Sequence, residues 1–426
     1  SPLKWDLESQ QEYQGDNLLQ SGFLPVTYFG ADRTGLVDST VAIQNCIDAA
    51  LANNMVCFFP SGEYLVSGQL RCVQEAKDMT TNHVFVGERK DGKRPVLRLA
   101  DNSMVGEPKA LVFMQAQNPD GSENVPSGYN MVFRGIDLDM GSGNSGAVGI
   151  NLHGAQGCAV QDVKISGEGF FAGLRHLSGS GACYGNIEVH GGQYGMSTAG
   201  DSGKDPVIVG LKLFDQEKQA MQLDTATPVT IVGFHFRLKS AGLTEIKRRY
   251  NNCSTHLGLI DGIIEVDGYA DPLVENVDRS VFMKNVYIHN AQTVIRNGQG
   301  PDLAGSLDGW TFLEEYTFYH GSDSSLVDGV LGGAEVISNT VVNGYTGPVP
   351  ESLIERHVWN EDAVANPGSP GQYLSVSDFG ADRTGQEDST TALQAAIDES
   401  SRQDKLLFLP KGEYRISNTI VLHANT

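Results

Sequence analysis

A short pattern of one small or polar residue, then an apolar, a polar and an apolar residue, returns along the chain at a nearly constant spacing. It reads GIDL at Gly135, DVKI at Asp162, NIEV at Asn186, GLKL at Gly210, GFHF at Gly233 and NVYI at Asn285. The intervals are 27, 24, 24, 23 and 52 residues, and the last spans two repeats. A second series lies between these segments and reads GINL at Gly149, GLRH at Gly173, GMST at Gly195 and AMQL at Ala220. Alternating strands at one period predict an all-β fold, the coils of a right-handed parallel β-helix, whereas a β-sandwich has no reason to keep one period.

A longer block is written twice, and its two copies begin 350 residues apart. The first reads FGADRTGLVDST from Phe29, and the second reads FGADRTGQEDST from Phe379. In each copy the DST triplet supplies side chains that cap a helix, a helical pattern follows, and a short apolar run then ends at a Pro-x-Gly turn signal. A helix that leads into a first strand can cover the open end of a stacked sheet. We therefore predict that residues 388–414 superpose on residues 38–64 as helix, strand and turn.

The chain length of 426 residues and the two copies of the block set the predicted domain organisation. Residues 1–355 are predicted to form the first β-helix with its cap helix, and residues 356–375 a linker. Residues 376–426 are predicted to form the cap and the start of a second β-helix. One coil takes about 24 residues, whereas only residues 415–426 follow the second copy. We expect the remaining coils of the second β-helix to come from residues outside this sequence.

The charge balance and the cysteine pattern limit the partners and cofactors. The net charge of −22 argues against nucleic acid, whose phosphates would be repelled, and favours a neutral polysaccharide over a polyanionic one. No apolar run approaches the roughly 20 residues needed to cross a membrane. The sequence starts at Ser1 without Met, so we expect that a signal peptide or a tag has been removed and that the protein is secreted, either extracellular or periplasmic. The six cysteines form no CxxC pair, and no metal-ligand or nucleotide-binding spacing occurs, so neither a metal nor a cofactor is predicted.

The repeated block resembles the FGAxGDGxxDDTxAxQxAI signature of the pectate-lyase-like β-helix superfamily, with Arg33 and Thr34 in place of the usual Gly-Asp. Lyases, hydrolases and phage tailspikes share this signature, so it indicates a fold rather than a function. Two copies in one chain are similar to glycoside hydrolase family 55, the exo-acting β-1,3-glucanases, in which a linker joins two β-helices. Three further stretches resemble that family: GGQYGMST from Gly191, DGWTFLEEYTFYHG from Asp308, and HVWNEDAVANPGSPGQYLSVSDFGA from His357.

The resemblance implies an inverting hydrolase that acts on a laminarin-like β-1,3-glucan. In that family a Glu of the second β-helix donates the proton, and a Gln and a Ser of the first position the attacking water. Gln216 and Ser240 stand 24 residues apart in equivalent positions after consecutive strands. We therefore expect both catalytic candidates to face the groove between the two β-helices and to share one water. Gln219 and Gln222 compete with Gln216 for this role, and the proton-donating Glu would lie beyond this sequence.

Aromatic and acidic residues between 308 and 321 provide candidate sugar contacts. Three aromatic rings there, those of Trp310, Tyr316 and Tyr319, could stack on sugars beside two glutamates, although aromatic residues near a domain junction also serve packing. The predicted substrate-binding residues are Trp310, Tyr316, Glu314, Glu315, Gln219 and Gln222.

Two other functions remain open at this point. A polysaccharide lyase acting on a uronate polymer would need Ca²⁺ or a basic cluster to acidify the carbon next to the uronate. Asp137 and Asp139 alternate on one strand and could share a face for Ca²⁺, and KRRY at Lys247 is the nearest basic cluster. A non-catalytic glycan-binding or tailspike-like module would instead be trimeric. Sugar release from laminarin, the ultraviolet absorbance of an unsaturated uronate, and the mass in solution separate the three.

Overall fold

The computed structural model describes residues 17–20, 22–75, 83–124, 128–177, 181–198, 206–223, 228–239, 242–246, 256–319, 325–327, 330–332, 336–358 and 373–423. The helices are α1 (Asn17–Gln20), α2 (Thr40–Ala52) and α3 (Thr390–Gln403), with 3₁₀ turns at Val26–Phe29 and Val376–Phe379. The strands are β1 (Phe23–Pro25), β2 (Thr34–Asp38), β3 (Val56–Phe59), β4 (Glu63–Val66), β5 (Leu70–Glu75), β6 (His83–Gly87), β7 (Val96–Leu99), β8 (Lys109–Gln117), β9 (Met131–Arg134), β10 (Asp137–Asp139), β11 (Ala147–His153), β12 (Ala159–Ser166), β13 (Ala172–Leu177), β14 (Cys183–His190), β15 (Tyr194–Ser197), β16 (Val207–Phe214), β17 (Gln219–Gln222), β18 (Val229–Leu238), β19 (Thr244–Ile246), β20 (His256–Ala270), β21 (Val274–Asn276), β22 (Ser280–Ala291), β23 (Thr293–Asn297), β24 (Leu303–Ala304), β25 (Trp310–Phe318), β26 (Ser325–Val327), β27 (Val330–Gly332), β28 (Val336–Tyr345), β29 (Tyr373–Ser375), β30 (Thr384–Asp388), β31 (Leu406–Phe408) and β32 (Glu413–Arg415). Among the described helices, none combines the length and apolar character that a membrane crossing requires.

The longest sheet, here called the long sheet, runs through the coils of the first β-helix. Its main path orders the strands β1, β3, β6, β9, β12, β14, β16, β18, β20, β22, β25 and β28. The strands that carry the repeated quartets pair in parallel, and Val163, Ile187, Leu211 and Phe234 occupy one register row. The parallel β-helix predicted from the period is confirmed.

Two further sheets close the coils on the other faces. The first contains β5, β8, β11, β13, β15 and β17, and the second contains β19, β21, β23 and β24. The second series of quartets lies on β11, β13, β15 and β17, which stack in chain order as predicted. Inside the coils, Phe59, Phe85 and Phe133 are buried, with successive ring centroids 6.0 and 6.1 Å apart. Each coil therefore stacks its apolar residues on those of the neighbouring coils.

The last strands of the first β-helix depart from the prediction of one parallel helix as far as Ile354. β25 pairs antiparallel with β22, and β28 pairs antiparallel with β25. The cause is a hairpin after β23, where the chain turns at residues 298–302 and returns as β24, antiparallel to β23. The chain therefore enters the long sheet from its opposite end, with Trp310 opposite His289.

The first residue of each quartet in the long sheet has a positive φ and lies at a bend of the chain, and Asp261 takes the same position in the coil between Gly233 and Asn285. The residues and their φ angles are Gly135 68°, Asp162 55°, Asn186 52°, Gly210 71°, Gly233 69°, Asp261 57° and Asn285 55°. Gly, Asn and Asp adopt this left-handed conformation more readily than other residues. We call this stack the corner column. Hydrogen bonds join parts of it, because Asn186 Nδ2 donates to Asp162 Oδ1 at 2.9 Å and Asn285 Nδ2 donates to Asp261 Oδ1 at 2.6 Å.

Residues 351–358, here called the linker turn, pack across the corner column. A Cβ added at Gly210 would lie 2.2 Å from Val358 Cγ1. A Cβ added at Gly233 would lie 3.0 Å from His357 Cδ2. The linker turn thus occupies the space where two neighbouring coils have no corner side chain. The rest of the predicted linker up to residue 372 lies outside the described residues.

Charged groups hold the linker turn one coil further along the corner column. Arg356 Nη2 and His357 Nε2 each lie 2.6 Å from a carboxylate oxygen of Asp261. Partial burial alone would raise the pKa of Asp261, but the hydrogen bonds from Asn285 and His357 and the charge of Arg356 outweigh it and lower that pKa. Asp261 is therefore ionised at neutral pH and attracts the linker turn.

The two copies of the repeated block fold alike. The Asp32 carboxylate accepts hydrogen bonds from three backbone N–H groups of residues 34–37 at 2.9–3.0 Å. Asp382 accepts the same three bonds from residues 384–387. The Thr34 hydroxyl, followed by the backbone bonds, lowers the pKa of Asp32 to about 2, and the backbone bonds together with the Thr384 hydroxyl lower the pKa of Asp382 to about 2. Asp38 accepts the first N–H of α2 at 2.9 Å, as the DST triplet predicted. The predicted superposition of the copies is confirmed in its helix, strand and turn.

Candidate functional site

The structure turns Gln216 into the interior of its coil. Its side chain is fully buried, and Nε2 donates to the main-chain carbonyl oxygens of Val189, Gly191 and Phe214 at 3.0–3.2 Å. Asp215, with a φ of 66°, interrupts the alternation of side chains and turns the next one inward. The prediction that Gln216 faces a groove is therefore wrong, and its predicted partner Ser240 lies outside the described residues.

A Ser–Gln pair from neighbouring coils does exist, formed by Ser197 and Gln222. Ser197 Oγ donates to Gln222 Oε1 at 2.7 Å, because the two residues are register partners in β15 and β17. Ser197 is fully buried, so the pair braces this sheet. Gln219 lies on the same strand opposite Tyr194 and is partly exposed. The sequence carried a signal for the pair, since Ser197 and Gln222 are the third residues of the GMST and AMQL quartets.

The predicted sugar contacts between residues 308 and 321 divide between core and surface. Tyr316 is 1% and Tyr319 is 6% exposed, so both pack in the core, and the prediction that they stack on a sugar is wrong. Glu315 lies 3.4 Å from Lys284 Nζ, and Glu314 is exposed. Trp310 keeps part of its ring exposed and remains a candidate.

The acidic pair considered for Ca²⁺ is engaged in contacts within the fold. Arg94 Nη1 lies 2.9 Å from Asp137 Oδ1, and the N–H of Lys164 donates to the same oxygen at 2.8 Å. Asp139 Oδ1 accepts the N–H of Gly141 at 3.0 Å. These contacts commit Asp137 to an arginine and Asp139 to its own turn, which disfavours a shared cation.

Beyond the corner column, outward side chains of the long sheet form a band rich in titratable groups. We call it the polar strip, and it comprises Glu188, His190, Asp215, His235, Arg237 and Glu265. The register of β14, β16, β18 and β20 places His190, Phe214, Arg237 and Glu265 in one row. The strip residues are partly exposed, whereas the residues between them on each strand are buried.

Each acid of the polar strip contacts a base. Glu188 Oε1 binds His190 Nε2, and Lys164 Nζ lies 3.5 Å from the same oxygen. His235 Nε2 lies 2.7 Å from Glu265 Oε2. Arg237 holds Asp215 through two contacts, Nη2 to Oδ2 at 2.7 Å and Nε to Oδ1 at 3.2 Å. The strip is therefore dense in hydrogen-bonding groups, and each of its carboxylates contacts a nitrogen of a basic side chain.

Phe214 lies in the middle of the polar strip. The imidazole rings of His190 and His235 contact it edge to face, with centroid distances of 4.9 and 5.1 Å. The Arg237 guanidinium lies 5.1 Å from its centroid. The phenyl ring of Phe214 is partly exposed among hydrogen-bond donors and acceptors. The strip can therefore contact both the apolar ring face and the hydroxyl groups of a sugar.

Two carboxyl groups of the polar strip have pKa values below the ordinary range. Partial burial alone would raise the pKa of Glu188, but the His190 hydrogen bond and the nearby lysines outweigh it and lower the pKa. The hydrogen bond from Arg237 is the main cause that lowers the pKa of Asp215. Both groups are ionised at neutral pH, so they suit acceptance of hydrogen bonds from hydroxyl groups rather than proton donation.

One protein-family model matches residues 23–253 and 373–426, and its description is rhamnogalacturonase A/epimerase, pectate lyase-like. The match includes most of both copies of the repeated block and covers more than half of the chain.

Two fungal proteins are similar over most of this chain. A glucan 1,3-beta-glucosidase from Cochliobolus carbonum is 21% identical and aligns with 93% of this chain and 51% of its own length. The non-secreted LysM effector LysM19 from Penicillium expansum is 23% identical and aligns with 97% of this chain and 34% of its own length. The chain spans about half of the first relative and about a third of the second.

Solved structures with a similar course of the chain include a viral and two bacterial proteins. ORF18 of Geobacillus virus E2 has a TM-score of 0.38 and 13% identity, with 79% of each chain covered. The mannuronan C-5 epimerase AlgE6 A-module of Azotobacter vinelandii has a TM-score of 0.35 and 16% identity, with 64% of this chain and 75% of that chain covered. The catalytic unit of a GH87 alpha-1,3-glucanase from Streptomyces thermodiastaticus strain HF3-3 has a TM-score of 0.32 and 14% identity, with 64% of this chain and 54% of that chain covered.

Proposed function

We propose, because the chain belongs to the rhamnogalacturonase A/epimerase, pectate lyase-like family, that it is part of a secreted glycoside hydrolase acting on a neutral β-1,3-glucan. The observation that carries the proposal is the polar strip, a partly exposed face of paired acids and bases around a phenyl ring. The similarity to a glucan 1,3-beta-glucosidase supports the substrate. Exo action and inversion follow from the resemblance to glycoside hydrolase family 55 and belong to the same proposal.

A neutral glucan fits the polar strip better than a uronate polymer. A lyase or a uronate-specific enzyme needs cations that are available to a substrate carboxylate. Lys164 and Arg237 already contact Glu188 and Asp215, so a uronate would have to displace those acids. The hydroxyl groups of a neutral sugar can instead bond to these pairs without separating them. The lyase alternative is therefore the weaker one.

The second cap supports the proposal of a second β-helix beside the first. Leu409, Ile416 and Leu422 are 48, 52 and 69% exposed. Their counterparts in the first copy, Phe59, Val66 and Cys72, are 0% exposed because the following coils cover them. Apolar side chains at equivalent positions need an equivalent cover. We propose that further coils stack on β31 and β32 and that this second β-helix supplies the general acid.

The proposal is tested by binding and turnover on two polymers. The chain described here should bind laminarin and its oligosaccharides and should not bind polygalacturonate, measured by calorimetry. Reducing ends should be released from laminarin only when the second β-helix is present. An unsaturated uronate product from polygalacturonate would contradict the proposal. A trimeric mass together with binding but no turnover by the longer protein would favour the tailspike-like alternative.

A matched pair of variants locates the binding face. Arg237→Ala removes a guanidinium from the polar strip, whereas Arg296→Ala removes one of similar exposure that contacts Glu275 on another sheet. Charged hydrogen bonds contribute about 1.5–3 kcal/mol, so Arg237→Ala should weaken laminarin binding by about tenfold or more. Arg296→Ala should leave binding nearly unchanged. Equal effects of the two variants would show that the strip is not the binding face.

A further inference from the structure

An aromatic cluster continues the long sheet directly beyond the polar strip. His289 and Trp310 lie side by side on β22 and β25, with ring centroids 4.9 Å apart. Tyr287 and Phe312 are stacked at 4.6 Å in the next row. Tyr345 closes the cluster, with its ring 5.6 Å from Tyr287 and 5.3 Å from Phe312. We call these five residues the aromatic shelf.

The register joins the aromatic shelf to the polar strip. Glu265 of the strip lies opposite His289, and His289 lies opposite Trp310. Neighbouring strands are about 4.8 Å apart, a distance close to the length of one pyranose residue. A glycan that lies along the β-helix axis would therefore meet a new strand with nearly every sugar.

Packing within the shelf fixes Trp310 and leaves part of its ring exposed. Tyr287 is 6% exposed and forms the floor of the cluster. Trp310, Phe312 and Tyr345 are partly exposed. A ring that is held in place loses little conformational freedom when a ligand stacks on it. Tyr316 on the same strand is 1% exposed and is a true core residue, so β25 carries both kinds of aromatic position.

We propose that the aromatic shelf is a subsite for a β-linked glucopyranose residue, which stacks on Trp310 while the next sugars lie over the polar strip. This inference rests on the proposed function and adds a subsite and a direction to it. The equatorial hydroxyl groups of β-glucopyranose leave both ring faces apolar, which suits an aromatic platform. Glu265, on the strand next to His289 and two strands from Trp310, is placed to accept a hydrogen bond from a hydroxyl of a following sugar.

Oligosaccharides of increasing length test the subsite. Calorimetric binding of laminaribiose to laminarihexaose should show affinity that rises with length. Trp310→Ala should lower the affinity for the longest oligosaccharide by about five- to tenfold and should affect the shortest much less. Trp310→Phe keeps an aromatic face and should retain most of the affinity. Tyr194→Ala, a partly exposed aromatic position on another sheet, is the control and should change nothing.

The outcomes separate this inference from the proposed function. Unchanged binding of long oligosaccharides by Trp310→Ala, with its circular dichroism spectrum intact, overturns the subsite. An equal loss at every length also overturns it, because the shelf would then not be a separate subsite. Laminarin hydrolysis by the longer protein with unaltered binding by Trp310→Ala removes only the shelf. Absence of hydrolysis together with a length-dependent loss in Trp310→Ala removes only the hydrolase and keeps the shelf.

Discussion

Replacement of Gly210 by alanine should separate the linker turn from the first β-helix. Gly210 has a φ of 71°, and a Cβ there would lie 2.2 Å from Val358 Cγ1. Two carbon atoms cannot approach so closely, so either the corner or the linker turn must move. Gly135 occupies the same corner column with a φ of 68°, but the nearest atom to its added Cβ is 3.4 Å away. Gly135→Ala is therefore a matched control that carries only the conformational cost.

The structure gives the expected size of the two effects. A residue with a side chain in the left-handed region costs about 1–2 kcal/mol relative to glycine, and this applies to both variants. Movement of the linker turn would also expose Ile354, which is 8% exposed and contacts the same corner. Exposure of a buried isoleucine costs about 1.5–3 kcal/mol. Gly210→Ala should therefore lower the free energy of unfolding by about 3–5 kcal/mol, and Gly135→Ala by about 1–2 kcal/mol.

Urea unfolding and hydrogen exchange measure the two terms separately. Gly210→Ala should speed the exchange of amides in the linker turn, whereas Gly135→Ala should leave that exchange unchanged. Val358→Ala removes the clashing Cγ1, so the double variant should be less destabilised than the sum of the single variants. Equal destabilisation by both glycine variants, or an additive double variant, would refute the contact as the cause.

Three further predictions concern the caps and the coil interior. Asp32→Asn should reduce the loss of stability on acidification by the contribution of this one carboxyl group. With a pKa of about 2, the Asp32 carboxylate stabilises the fold above its unfolded pKa of about 3.9 and loses that effect as the pH falls towards 2. Urea unfolding of the variant and the parent protein between roughly pH 5 and pH 2 checks this. Phe59→Ala should lower the free energy of unfolding by about 3–5 kcal/mol because the side chain is buried. Leu409→Ala, at the equivalent exposed position of the second cap, should lower it by less than about 1 kcal/mol. Chemical unfolding measures both values. Gln216→Ala should lower the free energy of unfolding by about 1–3 kcal/mol, because the buried carbonyl oxygens of Val189 and Phe214 lose a hydrogen-bond donor. Oligosaccharide binding should stay unchanged.

The sequence predicted the coils and the caps because both rest on local rules that repeat. The first residue of each quartet was recognised only as small or polar, yet its types are those that adopt a left-handed backbone. Gly135, Asp162 and Asn186 all have positive φ angles at the bend. The hydrogen bonds of Asp32 and Asp382 likewise explain why the same loop sequence, FGADRTG, occurs in both copies. If the recurring Gly, Asp and Asn had been interpreted as residues that need a left-handed backbone, the sequence alone would have predicted the corner column.

The candidate site was harder to predict, because the face of a side chain depends on every backbone angle before it. The alternation of side chains along a strand predicts which face each residue occupies only while the backbone stays extended. One left-handed residue, Asp215, turned Gln216 from the predicted surface to the interior. The polar strip was missed for a different reason. Its members, such as His190 and Arg237, are close only through the register of stacked strands, and they are tens of residues apart in sequence.

The corner column also determines where the linker turn lies on the first β-helix. Corner positions with Asp and Asn, such as Asp162 and Asn186, bond to each other, whereas Gly210 and Gly233 give up such bonds and leave room for the linker turn. The contacts of the turn pass from Asp261 to Gly233 and then to Gly210, so residues 356–358 run along the corner column in the direction of the first cap. At the cap, Lys411 of the second copy lies against Gly22 of the first, where an added Cβ would be 3.4 Å from its side chain. A side chain added at Gly210 or Gly233 would meet the linker turn.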